Sequence, residues 1–190
     1  MPNLSEEDGY AVACVDVLIE YLRRDYRHTI ASIENLTSHG EITFDLLYAV
    51  LVPRSTLITH CSVTGEIRAL QLVSITKTAT PCGFMYTLIC EGIDVDEYED
   101  SNSTDFYRTQ SRIILPDFDG TVKINSLDAY PIQYHPQEAE LRRSLVARGL
   151  KWSKLTGVHH MTYKGTAGFQ CQGRVVKYNA SLTLCHWIVC

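Results

Sequence analysis

Apolar residues recur along residues 15–36 at the spacing of one helical face. Val15, Leu18, Ile19, Leu22 and Tyr26 obey the i, i+3, i+4, i+7 rule, and Ile30, Ile33 and Leu36 carry the stripe on to Gly40, which can close a helix. The pattern predicts an N-terminal helical segment over 1–40 with its stripe turned into the core. A short second helix is predicted next: Thr43 suits an N-cap, Asp45 suits the first turn and Pro53 ends it. From Thr56 the period changes. Thr56 to Cys61 and Ile67 to Ile75 flank a turn at Thr64-Gly65, and Phe84 to Cys90 follows, bounded by Pro81 and Gly83. These runs are rich in β-branched and aromatic residues, as strands are. Ile113-Ile114-Leu115 and Val122-Lys123-Ile124 flank a loop or turn at Asp117 to Gly120.

A helix is then predicted over 136–148. Pro136 fits its first position, Glu138 and Glu140 its first turn, Leu141 and Leu145 its inward face and Arg148 its last turn; Gly149 is placed to be a left-handed cap. Val158 to Lys164 and Arg174 to Tyr178 read as strands, with Gly173 in a turn. The links between strands are too short for helical crossovers, so the sheet is read as antiparallel. The fold class is therefore α+β: a mainly antiparallel sheet packed with an N-terminal helical segment and one well-capped helix near 136–148.

Composition narrows this picture without changing it. A chain of 190 residues with 45% apolar residues can bury a core of its own as one globular domain. The start is acidic at Glu6-Glu7-Asp8 rather than basic and then apolar, and no apolar run could span a bilayer, so an intracellular chain is expected. The seven cysteines are odd in number and widely spaced, which predicts free or buried thiols. Sequons at Asn35, Asn102 and Asn179 are read as chance matches in that setting.

Charge is more informative. The net charge is −5, yet no Asp or Glu follows Glu140, and residues 141–190 carry eight Lys or Arg. The first 140 residues hold nine basic against 22 acidic residues, seven of the acids between Glu91 and Asp105. This split predicts either acids folded back onto the basic third or an electrostatic surface left open. The basic stretch Arg142, Arg143, Arg148, Lys151, Trp152 and Lys154 is the candidate interaction site. It could track a phosphate backbone and stack a base on Trp152. The acidity of the whole chain argues against nucleic acid.

Catalytic signatures are missing. There is no G-x-x-x-x-G-K-[ST] loop and no G-x-G-x-x-G, so nothing in the sequence cradles phosphates. His159 and His160 are neighbours in a predicted strand and point to opposite faces, which prevents their sharing a metal. A hydrolase using either with a distant partner is the weakest of the readings. Asp94 to Asp100 lacks the glycine and closing glutamate of a calcium loop and is read as a solvated loop. No catalytic residue, metal ligand or cofactor is expected.

The stretch from Ile124 to Ala167 carries a family resemblance. Leu127, Tyr130, Pro131, Tyr134, His135, Pro136, Leu141, Arg142, Arg148, Gly149, Lys151, Leu155, Gly157, His159, Tyr163 and Gly165 resemble an uncharacterised domain that lies ahead of the ATPase module in AAA+ ATPase-like proteins of filamentous fungi. Ile132 stands where that pattern has leucine. Glu41 to Leu47, Pro53, Ile114, Phe118 and Gly120 also fit, so the resemblance spans 41–178. It implies an α+β accessory domain over 41–178, regulatory or substrate-recognising. Residues 179–190 have no formal charge and do not resemble the family's continuation, and they are read as an aberrant or truncated tail. The implied partner is a protein, an AAA+ module or its substrate, with ATP chemistry confined to longer relatives. The alternative is an anion or nucleic-acid binding module using 141–177. No membrane contact is expected, and the oligomeric state stays open.

Overall fold

The computed structural model describes residues 6–95, 106–154, 161–171 and 174–184. Two helices open the chain, α1 (Glu6–Asp25) and α2 (Arg27–Ser38), joined at Tyr26, with Gly40 at φ 66° just beyond them. The helical segment is as expected, but its packing is not. Every residue of α1 from Asp8 to Asp25 is exposed, and neither helix joins the buried core. Periodicity shows that a face can be covered; it does not say by what.

A three-residue strand, β1 (Glu41–Thr43), pairs antiparallel with β6 (Thr121–Lys123). Glu41 and Lys123 close this ribbon at 2.9 Å, and the ammonium beside it holds the Glu41 carboxyl below its ordinary value. A 3-10 turn (Phe44–Leu46) leads into α3 (Leu47–Val50). Thr43 occupies the cap position but makes no side-chain capping bond. Asp45 instead accepts from Lys77 at 2.7 Å, and the Lys77 ammonium lies about 5–6 Å from the rings of Phe44, Phe84 and Tyr86. The hydrogen bond to Asp45 raises the Lys77 pKa, with burial opposing it. After Pro53 the chain turns through Arg54 at φ 72°, with the Ser55 N–H donating to the Val52 carbonyl at 3.1 Å. This is a type II turn with arginine where glycine is favoured.

The main sheet contains β2 (Thr56–His60), β3 (Ile67–Thr80), β4 (Gly83–Val95), β5 (Phe106–Pro116) and β7 (Ala129–Pro131) in the order β5-β4-β3-β2-β7. Every pairing is antiparallel, as expected for the α+β class. The strands outrun the predicted ones. β4 continues through Glu91 to Val95, so that part of the acidic window is a strand and not a solvated loop. Glu91 is accommodated there because Arg108 and Gln110 on β5 donate to it at 3.0 and 3.4 Å. Residues 96–105 lie outside the described residues.

Alternate positions of the central strands face the core: Tyr86, Leu88 and Cys90 on β4, and Leu70 and Leu72 on β3, are buried. Leu57 and Ile58 are neighbours on β2 and both are fully buried, so that strand is covered on both faces. Burial alone pushes the Cys90 thiol up to about 11. Burial also pushes Cys61 upward, but the Thr64 hydroxyl, the backbone of Thr64 and Val63 and the charge of Arg68 outweigh it and hold that thiol below its usual value. Cys14, Cys61, Cys82 and Cys90 are free, as expected.

The later helix is α4 (Glu138–Ser153), and it corrects three expectations. Pro136 precedes the cap residue Gln137 instead of opening the helix. Gly149 has no positive φ, and the helix runs on to a cap at Lys154. Arg148 therefore lies inside the helix and not in its last turn. The glycine costs about 1 kcal/mol in a helix interior, and the contacts of Trp152 described below hold the extra turn in place. The last strands, β8 (Met161–Cys171) and β9 (Arg174–Leu184), form a hairpin. It runs across the boundary set at 178: Asn179 to Leu184 pair with Thr166 to Met161. His159, His160 and the end of the chain from Cys185 lie outside the described residues.

Candidate interaction surface

The turn that presents α4 is built from residues 129–137. Pro131 ends β7 in an extended conformation, a 3-10 turn covers Ile132–Tyr134, and the Ile132 carbonyl accepts from the His135 N–H at 2.9 Å. The His135 ring lies parallel to that of Tyr130, with centroids 6.4 Å apart, and its Nδ1 accepts the Gln137 N–H at 3.1 Å. An accepting Nδ1 carries no proton, so this histidine sets the helix start and is no general acid in that state.

Two stripes run down α4. Leu141, Leu145, Arg148 and Trp152 follow i, i+4, i+7, i+11 and face the sheet. The two leucines pack on the core. The Arg148 guanidinium donates to the Ile67 carbonyl at 2.6 Å, and the Trp152 ring meets Phe106 edge-on with centroids 5.5 Å apart. Arg143, Val146, Ala147 and Leu150 form the second stripe. With Arg142 they line a shallow surface depression. Val146 and Leu150 are each 56% exposed. Arg142 is held back by Glu138 at 2.9 Å, and the Arg143 Nε donates to the Ala139 carbonyl at 3.2 Å. Lys151 and Lys154 are exposed at the C-terminal end of the helix.

The six predicted residues are thus divided by the helix. Arg142, Arg143, Lys151 and Lys154 remain available. Arg148 and Trp152 are engaged in holding α4 to β3 and β5. Val146, Ala147 and Leu150 were missed because attention went to charge; their spacing from Arg143, at i+3, i+4 and i+7, was the signal. Among the described residues no group of His, Cys, Asp and Glu could hold a metal ion, and no helix is long and apolar enough to cross a membrane.

What the geometry defines is an α+β domain with a solvent-facing, cation-edged helix. The chain belongs to the family described as a domain of unknown function, DUF7025, whose profile matches residues 32–136. That match takes in every residue of the buried core, from Ile42 to Ile132. It leaves both α1 and α4 outside. No curated protein and no solved structure matches the chain.

Proposed function

We propose that this chain is a non-catalytic accessory domain, regulatory or substrate-recognising, that works through protein contacts in the manner of an N-terminal domain of a fungal AAA+ ATPase. The observation that carries this reading is the outer stripe of α4. It combines an apolar floor of Val146, Ala147 and Leu150 with arginines at its edge, on a helix fixed from behind by Leu141, Leu145 and Trp152. Arginine around an apolar centre is the composition of protein interfaces. Such a face fits a partner segment that presents apolar side chains among carboxylates. ATP chemistry belongs to longer relatives, since this chain has no phosphate loop.

The nucleic-acid alternative loses its stacking platform here, because Trp152 is half-buried against Phe106. The test is calorimetric titration of the chain with the ATPase module of a DUF7025-containing AAA+ protein. A saturable complex is expected, weakened about tenfold or more by Leu150→Asp or Arg143→Glu, the range of an interface hot spot. No complex, or a complex indifferent to both changes, overturns the reading. Saturable binding of Mg-ATP by the chain alone overturns its non-catalytic half.

A further inference from the structure

We infer that α1 is a self-association helix, which pairs antiparallel with α1 of a second copy of this chain. This goes beyond the proposed function and rests on a different element. The first observation is that α1 has no support from its own domain. Every residue from Asp8 to Asp25 is exposed, including Val15, Leu18, Ile19 and Leu22. A helix of this length is marginal in water by itself. Gly9 and the β-branched Val12, Val15, Val17 and Ile19 weaken it further. Its stability therefore comes from outside the fold.

The second observation identifies the kind of cover. The apolar residues fall into a heptad seam, with Val12, Ile19 and Tyr26 at the a positions and Val15 and Leu22 at the d positions. Such a seam is filled by the seam of another helix, and Ile19 followed by Leu22 is the arrangement that favours two strands. The helix does not break at the end of α1: the Tyr26 N–H donates to Leu22 and the Ile30 N–H donates to Tyr26, both at 2.9 Å, so Tyr26 stays on the seam.

Charge then selects the second copy and its direction. Asp16 and Arg23 both occupy e positions, which flank the seam on one side. In an antiparallel pair e faces e. Setting Ile19 level with Leu22 of the second copy also sets Val15 level with its Tyr26, and brings Asp16 beside its Arg23. The two-fold axis makes each contact twice. A parallel pair would set Leu18 against Arg23 and Ala11 against Asp16, with no opposite charges meeting. The chain is thus complementary to itself in one direction only.

Sedimentation equilibrium on the full chain tests this. The expected mass is twice 21.5 kDa. Ile19→Asp, on an exposed surface remote from the core, is expected to give a monomer whose tertiary circular dichroism is unchanged. Asp16→Arg is expected to weaken association by about tenfold, and adding Arg23→Asp to restore it, as reversed charge pairs do. A wild-type chain that stays monomeric at its solubility limit overturns the inference. So does a dimer that survives Ile19→Asp, or a double variant that associates no better than Asp16→Arg alone.

Discussion

Two residues in this chain stand in conformations better suited to the other. Gly149 sits in the exposed interior of α4, with helical geometry and open space where a Cβ would project. Nothing there uses its freedom, so glycine only adds to the entropy lost on folding. Gly149→Ala is expected to stabilise the chain by about 0.5–1 kcal/mol. Arg54 is the reverse case, an L-residue at φ 72° in a type II turn. That conformation costs an L-residue roughly 1–2 kcal/mol, and the greater freedom of glycine in the unfolded chain offsets part of the relief. Arg54→Gly is therefore expected to gain up to about 1 kcal/mol. Urea denaturation of the two variants and of their combination measures both. The sites share no partner, so the gains should add. A loss of stability in Gly149→Ala would mean that residue 149 ends the helix after all. A loss in Arg54→Gly would mean that the guanidinium contributes more than its backbone costs.

At the scale of elements, the pattern was legible where local chemistry decides it. The turn at Gly65, the close at Gly83, the loop ending at Gly120 and the leucines of α4 all stand where the sequence indicates. What was not legible depended on distant partners. The extra length of β4 requires Arg108 and Gln110 across the ladder, and a row of single residues does not show who sits opposite Glu91. The last turn of α4 requires Phe106, more than 40 residues earlier in the chain, so a local reading stopped at the glycine. The candidate surface failed in the same way. Six residues chosen for charge and stacking were sorted by the helix into two that face the sheet and four that do not, and the apolar floor between them belonged to a second stripe. For α1 the stripe was visible, but its burial was inferred from the stripe alone.

At the scale of the molecule, the uneven charge of the chain is the feature that the fold leaves unresolved, and salt is the way to read it. If the acids of the first 140 residues neutralised the basic third, ion pairs would join the two. Of the five ion pairs among the described residues, only Arg142–Glu138 reaches past residue 140, and it is a local pair within α4. The others are exposed, at sites where a pair contributes about 0–1 kcal/mol. Arg142, Arg143, Arg148, Lys151 and Lys154 meanwhile crowd one helix within a few turns. Their mutual repulsion acts over a range that shrinks to about 10 Å at 0.1 M salt. Sodium chloride therefore screens more repulsion than attraction. The urea midpoint of the chain is expected to hold level or rise as salt is added from a low starting concentration. Binding of an acidic partner to α4 is expected to weaken over the same range, because there the screened charges are opposite in sign. A midpoint that falls steadily with salt would show attraction across the 140 boundary, and the basic face would then be a partner to the chain's own acids instead of a surface held open.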